Sequence, residues 1–260
     1  MKKIIVSDLD GTLLIYNERS VSISDKNVSK IKLWQEKNYF TIATGRNAFE
    51  VIDILKNANL KPNTYLICNN GAIIYDYYEN KVIYEEKMPV NFTLAICEYY
   101  YNNDIGHLGI SSSEGGFGVS FKMDKSKYQE IINVVKKDKV NKLGQYFKGY
   151  DIKPTIKYLK GLVEIEKVDL VFSSDTYLDI QPKGTSKGKA LNELKRLVPN
   201  SKIYAIGDYL NDYEMLINAD VSFAPSNSAK EIKEIANYLV GHHNDDAVAE
   251  MIDKIIEEEL

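Results

Sequence analysis

Apolar residues in this chain gather in short runs that end on small or polar residues, with helical spacings between the runs. Ile4-Ile5-Val6 leads to Asp8, Tyr39-Phe40-Thr41-Ile42-Ala43 ends at Thr44-Gly45-Arg46, and Tyr65-Leu66-Ile67-Cys68 ends at Asn69-Asn70-Gly71. Far along the chain, Ile203-Tyr204-Ala205-Ile206 ends at Gly207-Asp208, and Val221-Ser222-Phe223-Ala224 ends at Pro225-Ser226. Runs of this length bounded by turn residues predict buried strands. Between the first two, Val28, Ile31 and Trp34 recur every three residues, with Ser24 placed to cap a helix and Asp25 in its first turn. Phe49, Ile52 and Leu55, or Val51 and Leu55, form a second helical face after Arg46, and Ala190, Leu191, Leu194 and Leu197-Val198 form a third after Ser186. The order β-α-β-α-β at the start and α-β-α-β at the end predicts an α/β chain, a Rossmann-like parallel sheet with helices on both faces.

The middle of the chain departs from this alternation. Helical patterns at Phe92–Tyr101 and Lys127–Lys136, strand-like pieces at Gly118–Lys122, Val168–Phe172 and Tyr177–Ile180, and a glycine cluster at Gly115-Gly116 and Gly118 predict an inserted α+β domain. The expected division is a discontinuous core of residues 1–84 and 182–260, with the insertion at 85–181.

Open parallel sheets bind ligands beyond the carboxyl ends of their strands, and Asp8, Asp10, Thr44, Asn70 and Asp208 all fall at such ends. In extended chain Asp8 and Asp10 point the same way, and Gly11 and Thr12 supply a sharp turn and a hydroxyl. Two carboxylates that close repel unless a cation lies between them or one stays protonated. A calcium loop needs further oxygen ligands at set positions, which Leu13 to Ser24 does not supply. In Gly207-Asp208-Tyr209-Leu210-Asn211-Asp212, a helix starting near Leu210 lets Asp212 face back toward Asp208, an oxygen-rich pair suited to magnesium. The plainer alternative is a glycine turn with Asn211 as a helix cap. Lys187 at a helix start is poorly placed for the helix dipole unless it meets an anion, the alternative being a surface lysine. Thr44-Gly45 offers a hydroxyl and an approachable amide to phosphate oxygens.

Taken in order, Asp8-Leu9-Asp10-Gly11-Thr12, Thr44-Gly45-Arg46, Lys187-Gly188 and Gly207-Asp208-x-x-Asn211-Asp212 resemble the four motifs of the haloacid dehalogenase superfamily. Asn69-Asn70-Gly71-Ala72, the position of the insertion, and the tail with Pro225-Ser226-Asn227-Ser228-Ala229 resemble the Cof-type subfamily with a type IIB cap. The resemblance implies a phosphatase of small phosphorylated metabolites, sugar phosphates or phosphorylated cofactors such as pyridoxal phosphate or flavin mononucleotide. It implies Asp8 as nucleophile, passing through an aspartyl phosphate, and Asp10 as acid and then base. Thr44, Gly45, Arg46, Lys187 and Asn211 would bind phosphate or substrate. Mg2+ would be held by Asp8, the Asp10 carbonyl and Asp208, with Asp212 in support. Ser7, Tyr209 and Asp246-Ala247-Val248 depart from common family residues without touching a catalytic position. A phosphomutase, or a sensor of a phosphorylated metabolite that does no chemistry, is the alternative.

Composition narrows the rest. The chain has 260 residues and a net charge of −4 with mixed signs, and its one lysine-rich patch, Lys136-Lys137-Asp138-Lys139, contains an acid. Nucleic acid and membrane surfaces are therefore not the expected partners. Cys68 and Cys97 are the only cysteines and show neither zinc nor disulfide spacing. With no apolar stretch near the roughly 20 residues of a membrane span, a cytoplasmic location is expected. His242-His243 beside Asp245 and Asp246 reads as an exposed loop rather than a metal site, and His107 as a loop residue of the insertion.

Overall fold

The computed structural model describes residues 2–17, 20–103, 105, 107–119 and 123–259. It divides into two compact units, residues 1–83 with 186–260 and residues 84–185.

The first unit begins with β1 (Lys2–Ser7), a hairpin of β2 (Ile15–Asn17) and β3 (Ser20–Ser22), α1 (Asp25–Gln35), β4 (Tyr39–Ile42) and α2 (Ala48–Asn57). Then come β5 (Leu66–Cys68), β6 (Ile73–Asp76) and β7 (Lys81–Glu85). Ser24 caps α1 by accepting from the Asn27 amide, and Asn47 caps α2 by accepting from Glu50.

The second unit carries α3 (Val90–Asn102), β8 (Leu108–Ser112), β9 (Gly115–Val119), α4 (Lys125–Val135), β10 (Val140–Tyr146), α5 (Lys153–Lys160), β11 (Val168–Ser174) and β12 (Tyr177–Pro182). Its strands form one antiparallel sheet in the order β11-β12-β10-β8-β9. Leu108, Ile110, Leu143, Leu178 and Ile180 pack with Phe92, Ile96 and Tyr100 of α3 and Ile131 and Val135 of α4 in a separate core. Residues 118 and 119 of the strand expected at Gly118–Lys122 lie in β9, which pairs with β8 and also takes in Gly115 and Gly116; residues 120–122 lie outside the described residues. β8, β10 and α5 are absent from the sequence reading.

The chain returns through α6 (Lys187–Leu197), β13 (Ser201–Ile206), a 3-10 turn (Leu210–Asp212), α7 (Tyr213–Asn218), β14 (Val221–Pro225), α8 (Lys230–Ile235), β15 (Tyr238–Val240) and α9 (Ala247–Glu257). The principal sheet of the first unit runs β15-β14-β13-β1-β4, every pair parallel. Ile5, Phe40, Ile42, Tyr204, Ile206 and Phe223 share one face, packed on Ile31 and Trp34 of α1, Val51 and Leu55 of α2, and Met251 and Ile255 of α9. Ile4, Val6, Ile203 and Ala205 alternate to the opposite face and are fully buried. The haloacid dehalogenase resemblance and the α/β class agree with this architecture. One expected core strand differs: β5 joins the parallel sheet's edge through a single parallel bridge between Ile67 and Ala43, the residue after β4, and pairs antiparallel with β6. A three-residue strand that must turn at once into Asn69 and Asn70, both at positive φ, has no length for a full parallel ladder.

Among the described residues no helix is long and apolar enough to cross a membrane. Cys68 and Cys97 are free and buried, as expected of small apolar fillers.

Ile5 lies on β1, between β13 and β4, with no exposed surface. Ile5→Ala is expected to lower the unfolding free energy of this unit by about 2–5 kcal/mol, measured by urea denaturation. A change within experimental error would show that the β1 face is not part of a close-packed core.

Candidate active site

The site grows from the ends of β1 and β13. The Asp8 amide donates to the Ile206 carbonyl at 2.9 Å, so the parallel ladder continues one residue past β1 before the chain turns. Side-chain alternation puts Asp8 on the side of Ile4 and Val6. Thr12, Leu13 and Leu14 then all donate their amides to the Leu9 carbonyl, closing a helical turn at Gly11 (φ +80°). No Cβ fits at Gly11, because it would stand 2.4 Å from Asp208 Oδ2.

Lys187 enters from the first turn of α6, whose cap Ser186 accepts from the Lys189 amide at 3.0 Å. A Cβ on Gly71 would lie 2.2 Å from the Ser186 carbonyl, so the Asn69–Gly71 turn presses directly on this helix start. The Lys187 ammonium, without exposed surface, donates to Asp8 Oδ1 and to Asp212 Oδ1, each at 2.6 Å. Asp212 uses its other oxygen to accept from the amides of Asp208 at 3.0 Å and Tyr209 at 3.2 Å, which folds the 3-10 turn back onto β13. Asp208 Oδ1 accepts from the Thr12 hydroxyl at 2.9 Å. One carboxylate oxygen from each of Asp8, Asp208 and Asp212 lies within 4.8 Å of the others.

Asp10 stands apart from these three. The expectation that Asp8 and Asp10 converge in extended chain fails because Asp10 already sits in the turn after Leu9. Its carboxylate takes Arg46 in a fork, Nε to Oδ2 at 2.9 Å and Nη2 to Oδ1 at 2.6 Å. Oδ1 also accepts the Tyr16 hydroxyl. Arg46 therefore pairs with an acid. The like charges of Asp8 and Asp10 are separated by giving each its own cation, Lys187 and Arg46.

Burial pushes the Asp8 carboxyl well above the carboxylate range; Lys187 opposes this, and the charges of Asp212, Asp208 and Asp10 add to it. Asp208 is pushed up to about 7 by burial and by the charge of Asp212, against the pull of Thr12 and Lys187. Burial alone would lower the Lys187 ammonium, but Asp212 and Asp8 outweigh it and raise it, so it stays charged. For Asp10, burial is outweighed by the Arg46 bond and charge and the Tyr16 bond, and its carboxyl lies below the ordinary value.

The remaining sequence-selected residues frame this centre. Thr44 is buried and its hydroxyl accepts from the Arg46 amide at 3.2 Å, a local turn that aims Arg46 toward Asp10. Asn211 donates to Asn70 Oδ1 at 3.2 Å instead of capping a helix. Gly45 lies between Thr44 and Arg46. His243 stands in a 3-10 turn with Nδ1 2.8 Å from the Leu14 carbonyl. Sequence reasoning missed Tyr16: a tyrosine in an apolar run carries no signal of its own, and only the β2–β3 hairpin brings it to Asp10.

A model of the haloacid dehalogenase-like hydrolases matches residues 5–252. The chain belongs to that family. A phosphoglycolate phosphatase of Saccharolobus solfataricus is 28% identical over 255 residues, covering 97% of this chain and 92% of that protein. A pyridoxal phosphate phosphatase of Escherichia coli is 26% identical over 270 residues, covering 96% and 97%. The crystal structure of TM0651 from Thermotoga maritima superposes with a TM-score of 0.77 at 27% identity, covering 98% of each chain. This haloacid dehalogenase-like hydrolase is an enzyme of the phosphatase kind.

The residues present fit a hard divalent cation. Three carboxylates, two of them buried and bonded to one ammonium, group together, their donor atoms are all oxygen, and the two raised carboxyls mark negative charge that the protein alone does not neutralise. Because Asp208 binds its proton more tightly folded than unfolded, the metal-free protein loses stability as pH rises toward and through about 7. Mg2+ competes with that proton, so the rise in melting temperature on adding Mg2+ is expected to be larger at about pH 8 than at about pH 5.5. Equal shifts at both pH values in a thermal melt would remove Asp208 from the metal set.

Proposed function

We propose that this protein is a Mg2+-dependent phosphatase that hydrolyses phosphomonoesters of small metabolites through an aspartyl phosphate on Asp8. The observation that carries the reading is Asp8 at the end of β1, held by a buried Lys187 and grouped with Asp208 and Asp212. A carboxylate is a competent nucleophile toward phosphorus when opposing charge offsets its repulsion from the phosphate.

An Asp8 oxygen attacks phosphorus, and the bond to the ester oxygen breaks. That oxygen leaves with a proton from Asp10, which Arg46 and Tyr16 hold as a carboxylate in the free protein and which takes up that proton as the phosphate ester binds. Asp10, now a carboxylate, takes a proton from water as the water oxygen attacks the aspartyl phosphate. The bond between Asp8 and phosphorus breaks, releasing inorganic phosphate and restoring both side chains. Lys187 keeps Asp8 oriented and balances charge through both steps, and Thr44 and the Gly45 amide are suited to phosphoryl oxygens. A magnesium ion held by Asp8, the Asp10 carbonyl and Asp208, with Asp212 in support, would supply positive charge against the transferring phosphoryl group.

Residues 85–181 are proposed as the domain that selects the leaving group, within a core of 1–84 and 182–260. A phosphorylated carboxylic acid, a sugar phosphate or a phosphorylated cofactor such as pyridoxal phosphate is the expected class, supported by relatives named for phosphoglycolate and pyridoxal phosphate.

Phosphate release from such compounds with Mg2+ and with EDTA tests the reading. Metal-dependent release from a few members is expected, and silence from folded protein across them would overturn it. Asp8→Asn is nearly isosteric and is expected to keep the fold while lowering turnover on the order of 10^4-fold or more. Turnover of 4-nitrophenyl phosphate at the wild-type rate would remove Asp8 as nucleophile.

A further inference from the structure

Among the described residues Asp10 receives three hydrogen bonds, and their distribution over its two oxygens is unequal. Oδ1 accepts from Arg46 Nη2 at 2.6 Å and from the Tyr16 hydroxyl, while Oδ2 accepts from Arg46 Nε at 2.9 Å. A carboxylate oxygen has two in-plane acceptor sites. The two donors fill both sites on Oδ1 and leave one on Oδ2. The Arg46 fork sets the carboxylate plane; the Tyr16 hydroxyl distinguishes its two oxygens.

Tyr16 is itself held from outside the catalytic residues. It pairs with Val21 across the β2–β3 hairpin. Its ring meets the His243 ring edge-on, with centroids 6.5 Å apart at 68°. His243 is fixed by Nδ1 at 2.8 Å from the Leu14 carbonyl and by its amide donating to Asn227 Oδ1 at 3.0 Å. Asn227 Nδ2 in turn donates to the Gly11 carbonyl at 2.8 Å, one residue beyond Asp10. This circuit ties the tyrosine to the turn that carries Asp10, so ring and carboxylate keep a common frame although half of Tyr16 faces solvent.

We infer that Tyr16 is a positioning residue for proton transfer: by occupying Oδ1 it directs Asp10 to exchange its proton with the leaving oxygen, and later with water, through Oδ2. The inference rests on Asp10 as acid and base. Tyr16 keeps its own proton throughout, and nothing is transferred to or from the phenol.

Leaving-group dependence separates positioning from general support of the fold. Phenolate needs protonation on departure far more than 4-nitrophenolate does, so a defect in proton delivery falls on phenyl phosphate. For Tyr16→Phe, kcat/KM for phenyl phosphate is expected to fall about tenfold, as for loss of one bond to a charged group, with 4-nitrophenyl phosphate within about twofold and the melting temperature retained. Asp10→Asn alone is expected to show the same selectivity more strongly, and adding Tyr16→Phe to it should change nothing further, because the two act through one proton.

An equal fall for both esters, no fall for phenyl phosphate, or a full additional loss in the Asp10→Asn background overturns the role of Tyr16. If Asp10→Asn itself lacks leaving-group selectivity, the acid–base reading of Asp10 fails and the inference fails with it. Lack of turnover of both esters by the wild-type enzyme contradicts the phosphatase reading and this inference together.

Discussion

The Lys187 ammonium between Asp8 and Asp212 is the contact on which the site depends. A lysine at the start of a helix is opposed by the helix dipole, and one without exposed surface is opposed by desolvation as well. Two carboxylates at 2.6 Å offset both costs, and each carboxylate is held in place by the same bond. Asp212 then closes the turn after β13 through the amides of Asp208 and Tyr209. One ammonium thus connects the end of β1, the end of β13 and the start of α6. Removing one partner would leave buried charge unpaired, which is more damaging than the loss of the pair as a unit.

Around that contact, charge is divided so that four aspartates coexist in a small volume. Lys187 serves Asp8 and Asp212, Arg46 serves Asp10, and Asp208 accepts from the Thr12 hydroxyl with no bond to either cation among the described residues. This explains why Asp208 and Asp10 are displaced in opposite directions from the ordinary carboxylate range. Burial and like charge dominate at one; a forked guanidinium dominates at the other.

Several site residues were legible because strand ends and turns leave local marks. Asp8, Thr44 and Asp208 each follow an apolar run, and Gly11 answers a positive φ together with a close approach to Asp208. Lys187 was legible as a cation in an unfavourable place. Others were not. Asn69 and Asn70 adopt positive φ in succession and so divert β5 from a full parallel ladder, which apolar runs do not reveal. β10 of the second unit was missed because Lys142, in a buried ion pair with Asp179 of the facing strand at 2.6 Å, interrupts the apolar pattern that marks strands from sequence.

Local chemistry along the chain determined where β1, β4, β13 and β14 of the parallel sheet lie, where each ends, and which polar residues stand at those ends, because periodicity and turn preferences act within a few residues. It also determined the family, since four short motifs occur in order across both halves of the core. Only tertiary structure decided the pairing of those groups: that Arg46 takes Asp10 and not a free position, that Lys187 bridges two acids, and that Tyr16 completes Oδ1 from a hairpin while His243 supports it from 227 residues away. Pairing of this kind depends on distances between elements far apart in sequence, and those distances are set by how the sheet and its helices pack.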